Sequence, residues 1–259
     1  MIFVKSFEFL SIDREEKPRK CGITMVLDKG LGLETASSLM DISGEYVDYL
    51  KFGWGTSIVH EQDIIKAKVE MYKNHDITPY TGGTLFELAY KKDKLEEFFS
   101  EAHNLGFPAI EISDGSVNIP HEDKLECIGL AKSDGFEVLS EVGKKDPSLD
   151  KELSLDERIE YMNEELQAGS SLIIVEAREG GKNIGIFDKA GKAKEDEIDY
   201  ILNNVAGDKI LWEAPAKDQQ VFFILKLGNT VNLGNISSDD ITSLETLRRG
   251  LRGDTVGKI

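Results

Sequence analysis

Eight short apolar runs recur along this 259-residue chain, about one in every 30 residues, and helical patterns fill the intervals between them. Each run is rich in Ile, Val, Leu and Tyr, which is typical of strands buried on both faces of a parallel sheet. A strand that alternates with a helix requires parallel strands joined by crossover helices. The runs lie at residues 23–28, 46–52, 77–82, 109–113, 136–141, 172–176, 210–214 and 230–234.

The intervals carry signals for the ends of helices. Ser154 is a predicted N-cap before an amphipathic run that stops at Gly169. Pro120 begins a helix that is predicted to end near Asp134. Further helices are predicted for residues 84–106 (with a break), 217–227 and 238–250.

Two folds accommodate eight strand–helix units, an open doubly wound sheet and a closed barrel. Eight units in about 250 residues match the barrel. The first predicted strand runs into LDKGLGLE, which lacks the GxGxxG pattern of dinucleotide-binding sheets. The sequence therefore predicts an α/β protein, a single (β/α)8 TIM barrel over residues 1–259, with residues 1–22 as an N-terminal extension packed on it.

The composition limits the partners of the chain. A formal net charge of −17 repels phosphate backbones and anionic lipids, so nucleic-acid and membrane partners are not expected. The apolar start, MIFVKSFEFL, is too short and broken for a signal peptide, and no run is long enough to span a membrane. We expect a cytoplasmic protein in which Cys21 and Cys127 are reduced thiols.

Nearly every predicted strand has charged residues at its carboxyl end. Functional groups of a barrel lie at these carboxyl ends, and strand alternation sorts them by face. On the sixth strand, Glu176 shares a face with Leu172 and Ile174. If the glutamates face inward, they form an acidic arc over the mouth of the barrel, and three cationic side chains point into the same mouth. The acids are Glu111, Glu141, Glu176 and Glu213, and the cations are Lys51, Lys144 and Arg178.

Four carboxylates cannot lie close together unless they are protonated, paired with cations or bound to a metal. Oxygen ligands without His or Cys suit Mg²⁺. The histidines lie away from the strand ends, which argues against zinc; they are His60, His75, His103 and His121. A purely structural ion-pair network is the alternative, although burying several charges for stability alone is costly.

Glycine-rich turns give a second, weaker signal. The turns at 53–55 and 82–84 could hold an anion at helix N-termini, or could be tight βα turns and nothing more. Residues 178–183 read as a basic flap or an ordinary exposed loop. Trp212 is predicted to pack in the core, and Trp54 could line the pocket.

The sequence resembles the phosphosulfolactate synthases nearly end to end. The resemblance implies a Mg²⁺-dependent barrel enzyme and a homo-oligomer. Its implied reaction, that of a carbon–sulfur lyase in coenzyme M biosynthesis, adds sulfite to phosphoenolpyruvate and gives (2R)-phospho-3-sulfolactate. The stretches that carry it are LDKG (27–30), VDYLKFGWGTS (47–57), GGTLFE (82–87), EISDGS (111–116), SEVGKK (140–145), EAREGGKNIGIFD (176–188), EAPAKDQQ (213–220), VNLGNI (231–236) and SLETLRRGLRGDT (243–255).

This reaction suggests roles for the strand-end residues. Sulfite would attack C3 of phosphoenolpyruvate, and an aci-carbanion at C2 would take a proton from a lysine whose pKa is lowered by neighbouring cations. We expect Lys144 to be this acid, with Lys51 as second candidate. The expected metal ligands are Glu111, Glu141 and Glu176, followed by Asp114 and Glu213. The expected substrate-binding residues are Lys29, Gly82, Gly83, Ser113, Lys145 and Arg178.

Two other functions are compatible with the pattern. One is a different lyase or mutase that uses enolate chemistry on the same barrel. The other is a non-catalytic, stress-related homologue, against which the retained charges at the strand ends argue, because an idle site has no need of buried charges.

Overall fold

The computed structural model describes residues 5–150, 152–177, 180–183 and 185–259. Eight parallel strands form one closed barrel in chain order, and β1 pairs with β8 to complete it. This confirms the predicted (β/α)8 architecture. The strands are β1 (Thr24–Asp28), β2 (Tyr49–Phe52), β3 (Thr78–Thr81), β4 (Ala109–Ile112), β5 (Glu137–Val142), β6 (Leu172–Val175), β7 (Ile210–Glu213) and β8 (Leu233–Ser237).

Helices surround the barrel and connect successive strands. They are α1 (Leu33–Ser43), α2 (Thr56–Val59), α3 (Gln62–Asn74), α4 (Gly83–Lys91), α5 (Leu95–Leu105), α6 (His121–Ser133), α7 (Pro147–Asp150), α8 (Leu155–Ala168), α9 (Glu195–Asn204), α10 (Lys217–Leu227) and α11 (Ile241–Arg248). Short 3₁₀ turns lie at Glu8–Leu10, Gly44–Tyr46, Gly207–Lys209 and Ser238–Asp240. None of the helices in the described ranges combines the length and apolar character needed to cross a bilayer.

The core has two layers, as strand alternation requires. A larger apolar layer lies between the strands and the helices, where Trp212 stacks on Phe223 of α10. A smaller layer fills the barrel interior below its carboxyl-terminal mouth. That interior layer consists of Ile23, Met25, Tyr80, Ala109, Leu139, Leu172, Ile174 and Leu211.

Arginine side chains hold the N-terminal segment against the amino-terminal end of the barrel. Arg14 donates to the carbonyl of Asn229 at 3.0 Å and forms an ion pair with Glu245 at 3.3 Å. The buried Arg248 donates to the carbonyls of Val231 and Ile23. These bonds satisfy backbone groups where the ladder of the barrel begins.

The predicted element boundaries differ from the structure mainly at the last strand. The run 230–234 predicts a strand there, but β8 begins only at Leu233. The side chain of Asn232, just before it, accepts from the Ile23 amide and donates to the carbonyls of Asp208 and Ile210. A side chain that replaces ladder bonds in this way has no signature in an apolar pattern.

Candidate active site

An open cavity of about 490 Å³ lies at the carboxyl ends of the strands. This volume is typical of sites for small molecules. We call the cavity the bowl, and its lining residues are Leu27, Lys51, Gly53, Trp54, Gly82, Gly83, Thr84, Glu111, Glu141, Lys145, Glu176, Ala177, Gly180, Gly181, Lys182, Glu213 and Asn235.

Strand alternation delivers the acidic residues to the bowl. An inward side chain is followed two residues later by another inward side chain, one level nearer the mouth. Each acid of the bowl therefore lies directly above a residue of the interior apolar layer. The pairs are Ala109 with Glu111, Leu139 with Glu141, Ile174 with Glu176, and Leu211 with Glu213.

Three of these carboxylates form one compact cluster. Each of Glu141, Glu176 and Glu213 offers an oxygen that lies within 4.8 Å of the oxygens of the other two, and all three side chains are buried. Glu213 Oε2 is oriented by the Ala177 amide at 3.0 Å and by the Asn235 side-chain amide at 3.3 Å. These bonds fix the carboxylate of Glu213 before any ligand arrives.

Lys51 lies at the centre of the acidic residues. Its Nζ is 2.9 Å from Glu111 Oε2, 3.6 Å from Glu141 Oε2 and 3.7 Å from Glu213 Oε1. The other oxygen of Glu111 accepts a hydrogen bond from the Gly83 amide at 2.8 Å. Glu111 therefore joins Lys51 to the start of α4, and it lies outside the three-carboxylate cluster.

Lys145 is another lysine that lines the bowl. Its Nζ lies 3.9 Å from Glu141 Oε1 and 3.8 Å from Glu87 Oε1, and it donates to Thr84 Oγ1 at 3.4 Å. The ammonium thus bridges the fifth strand and the first turn of α4. About a quarter of the side chain is exposed, so it can contact a ligand.

Glu87 of α4 organises the loop that follows β4. Its carboxylate is fully buried, accepts from Ser113 Oγ at 2.6 Å, and accepts from the amides of Gly115 and Ser116 at 3.1 and 2.9 Å. A carboxylate with this many donors is held in one position. It forms an ion pair with Lys145 but does not itself line the bowl.

Burial and mutual repulsion change the acidity of the carboxyl groups. Burial, with the charges of Glu141 and Glu213 added, raises the pKa of Glu176 well above its usual range. Burial also raises the pKa of Glu213, and it raises that of Glu111 to about 7. Burial acts the same way on Glu141, but Lys145 and Lys51 outweigh it and lower its pKa. The carboxyl groups therefore differ in their readiness to ionise.

The pKa values of Lys51 and Lys145 are both raised. Burial alone would lower the pKa of Lys51, but Glu111 and Glu141 outweigh it and raise the pKa well above 10.5. Glu141 and Glu176 likewise outweigh burial and raise the pKa of Lys145. The expectation of a lysine pKa lowered by neighbouring cations is wrong for Lys51, because carboxylates are its nearest charges.

The donor set fits a hard divalent cation. Against the two lysines that form ion pairs with this group, Lys51 and Lys145, the four carboxylates leave an excess of two negative charges when all are ionised, which one divalent ion neutralises. Glu141 Oε1 is buried and accepts no hydrogen bond within the described ranges. Clustered carboxylate oxygens are the ligands that Mg²⁺ prefers. Glu141, Glu176 and Glu213 are the residues that would hold it.

Two residues predicted for the chemistry do not line the bowl. Lys144 Nζ forms an ion pair with the Asp114 carboxylate and donates to the Asp114 carbonyl at 3.0 Å. Asp114 also pairs with Lys124 at 2.9 Å. Lys144 and Asp114 therefore lie outside the bowl lining, contrary to the predicted placement of Lys144, and a role of Asp114 as a metal ligand stays a prediction. Lys145, the next residue, points to the bowl instead.

The predicted substrate-binding residues are divided. Lys145 lines the bowl, whereas Lys29 lies over the Trp54 ring at 4.6 Å and Ser113 donates to Glu87, both outside the lining. Arg178 lies outside the described residues.

Gly82 and Gly83 line the bowl, but their amides already donate to the Phe52 carbonyl and to Glu111. Both amides are therefore already engaged within the protein, and a role of the two glycines in substrate binding stays a prediction. At Gly83 an added Cβ would lie 2.1 Å from Ser113 Oγ, so close approach explains this glycine.

Several residues of the site escaped the sequence analysis. Glu87 lies in helix α4, and the pattern of charged strand ends does not extend to helices. An acid amid the apolar residues Phe86 and Ala89 is nevertheless a usable signal of a buried, functional carboxylate. Thr84 and Lys182 lie in segments that were noted only for their glycines and basic character.

Comparison with known proteins places the sequence beside one family. The family described as (2R)-phospho-3-sulfolactate synthase (ComA) matches residues 12–254. A phosphosulfolactate synthase of Methanothermobacter thermautotrophicus is 54% identical over 99% of this chain and 99% of its own length. One from Methanocaldococcus jannaschii is 52% identical over 99% of this chain and 100% of its own length.

A solved structure shows the same fold with little sequence similarity. Dihydrodipicolinate synthase from Agrobacterium tumefaciens superimposes with a TM-score of 0.57 at 11% identity, covering 92% of this chain and 77% of its own. At this identity the likeness concerns the barrel alone.

Proposed function

The chain belongs to the (2R)-phospho-3-sulfolactate synthase (ComA) family, and on this premise we propose that its bowl adds sulfite to phosphoenolpyruvate with the help of a bound Mg²⁺ ion. The observation that carries the proposal is the convergence of Lys51 with the cluster Glu141, Glu176 and Glu213 at the barrel mouth. It brings a proton donor and a set of hard oxygen ligands to one cavity of suitable size.

The reaction needs no general base, because sulfite brings its own electron pair. In the proposed step a carbon–sulfur bond forms at C3, and the electrons of the C2–C3 double bond move onto C2 and the carboxylate. A divalent cation, when bound, would supply Lewis-acid stabilisation of that negative charge. Protonation at C2 then completes the addition.

Lys51 is the proton donor that the geometry favours. Its ammonium group is held by Glu111 at 2.9 Å and faces the bowl, with 13% of the side chain exposed. The raised pKa keeps the proton on Lys51 until the substrate charge develops. A donor held in one position would protonate one face of a substrate that binds in a single orientation, as formation of one stereoisomer requires.

The anionic substrates need local positive charge in a protein of net charge −17. Lys145 and Lys182 supply it on two sides of the bowl. Ammonium groups without a rigid fork act as point charges toward phosphate and sulfonate. We propose that these two lysines bind the charged groups that flank the reacting carbons.

The test is sulfite-dependent consumption of phosphoenolpyruvate by the purified protein. Lys51→Met should lower kcat about 10²- to 10⁴-fold, the usual contribution of a positioned acid, whereas Lys144→Met should stay within about tenfold of wild type. Added EDTA should abolish turnover and excess Mg²⁺ restore it.

Wild-type turnover by the Lys51→Met protein would remove Lys51 from the mechanism. Conversion of phosphoenolpyruvate without sulfite would instead support the alternative of another enolate-forming lyase or mutase.

A further inference from the structure

One wall of the bowl is formed by Gly180, Gly181 and Lys182, in the loop between β6 and α9. The side chain of Gln219, in the first turn of α10, reaches across to this loop and is only 4% exposed. Its Nε2 donates to the carbonyls of Gly181 at 2.8 Å and Gly191 at 3.2 Å. We infer that Gln219 is a positioning residue that fixes this wall for substrate binding, an inference that rests on the proposed function.

The contact leaves little room for any other arrangement. Gly181 has a left-handed backbone, with φ of +53°, and a Cβ added there would lie 2.2 Å from Gln219 Nε2. A Cβ added at Gly191 would lie 3.1 Å from the Gly181 carbonyl. The Gln219 side-chain amide therefore packs closely against the backbone at Gly181 and Gly191, and its NH₂ group donates to both carbonyls.

The same side chain is itself held in place. Gln219 Oε1 accepts a hydrogen bond from the Ala216 amide at 3.0 Å, so the orientation of the amide group is determined. Its NH₂ group must then face the loop. Gln219 has no surface in the bowl lining and acts through Gly181 and the neighbouring Lys182.

Loss of the two donated bonds should affect binding more than chemistry. The proposed acid and metal ligands lie on β2 and at the ends of β5, β6 and β7, and none of them is hydrogen-bonded to Gln219. The wall that carries Lys182, in contrast, loses these hydrogen bonds to α10. The expected signature is a raised KM with a nearly unchanged kcat.

Gln219→Glu is the sharpest variant, because it keeps the size and the acceptor oxygen, removes the donors, and adds one negative charge that the control variant adds as well. Asn232→Asp is a matched control. Asn232 is a buried amide that also donates to two carbonyls and accepts one backbone amide, but it lies at the opposite end of the barrel. Both changes leave two carbonyls without donors, so similar losses of stability are expected.

In steady-state assays Gln219→Glu should raise the KM for phosphoenolpyruvate about tenfold or more and keep kcat within about threefold. Asn232→Asp should lower the melting temperature while KM stays within about twofold of wild type. If Gln219→Glu does not fold, Gln219→Met removes the same donors without adding a charge. An unchanged KM, or an equal rise in KM for Asn232→Asp, would overturn the inference.

Trypsin cleavage provides a readout that needs no turnover. Lys182, Lys189 and Lys192 are exposed in or beside the attached loop. Cleavage after them, followed by mass spectrometry, should be several times faster in Gln219→Glu and unchanged in Asn232→Asp. This arm remains valid if the proposed reaction is not observed, and equal cleavage rates in all three proteins would contradict the inference by themselves.

Discussion

Single residues of the site take their roles from the direction in which each side chain leaves the backbone. Glu111 and Asp114 are three positions apart in sequence, yet one lines the bowl and the other lies behind it. Glu111 is still in β4 and points inward, whereas Asp114 follows the end of the strand and pairs with Lys124 and Lys144. Residue type alone does not separate a ligand from an ion-pair partner.

Asp114→Asn tests this assignment through stability. Burial opposes ionisation of Asp114, but Lys124 and Lys144 outweigh it and hold the pKa below 3.8. Removal of the carboxylate leaves buried positive charge and should cost roughly 2–3 kcal/mol at neutral pH. Chemical denaturation measures this free energy of unfolding, with Asp254→Asn, from an exposed ion pair with Lys217, as control.

The pH dependence of the Asp114→Asn effect has a definite sign. The folded state binds the proton of this group less readily than the unfolded state, so its stabilisation is complete above pH 3.8 and is lost as pH falls through the folded pKa. The gap between wild type and variant should therefore shrink only in acid. A large loss of Mg²⁺ affinity in the variant would return Asp114 to the metal ligands.

At the scale of elements, loops and helix ends support the side chains that the strands place in the bowl. Asp150 at the end of α7 accepts hydrogen bonds from the Lys144 amide and, through its other oxygen, from the Gly185 amide. It thereby joins the loop after β5 to the loop after β6, and it forms an ion pair with Arg158 of α8. The start of α8 is thus part of the frame that supports the loops around the bowl.

Ser154→Ala tests how far the N-terminus of α8 is stabilised locally. Ser154 and Glu157 form a reciprocal capping box, in agreement with the predicted N-cap. Loss of the cap should cost about 1 kcal/mol, or about 2–4 °C in melting temperature for a chain of this size. Ser38→Ala, at an exposed interior position of α1, should be neutral or slightly stabilising. Equal melting temperatures for the two variants would argue against a stabilising cap.

At the scale of the whole molecule, the barrel brings three carboxylates from separate strands into one place. Its net charge is −17, and the three ends of β5, β6 and β7 bring carboxylates within 4.8 Å of one another. Such repulsion is relieved when an ion binds the folded state, and the unfolded chain offers no comparable site. Metal binding should therefore appear as stability of the whole barrel.

Added Mg²⁺ should raise the melting temperature of chelator-treated protein. At a concentration about 100-fold above Kd, binding contributes about 2.7 kcal/mol, which corresponds to roughly 5–10 °C here. Glu176→Gln should abolish the Mg²⁺-dependent rise, while Lys144→Met should retain it. Scanning calorimetry gives this result without an activity assay, and an equal rise in the Glu176→Gln protein would exclude Glu176 as a ligand.

The sequence by itself determined the barrel, because eight buried strands separated by helices can close in few ways. It also determined the inward acids, since alternation along a strand is a local property that places Glu141, Glu176 and Glu213 on one face. The N-cap at Ser154 and the burial of Trp212 are likewise local consequences of residue type and spacing.

Only the tertiary structure decided what happens beyond the strand ends. Which of Lys144 and Lys145 enters the bowl depends on the turn after β5, and Asp114 is drawn away by Lys124 of α6. Glu87 supports the site from α4, and Gln219 supports it from α10, the helix after β7. These relations join residues distant in the chain, and periodicity carries no information about which charges and donors become neighbours across the barrel mouth.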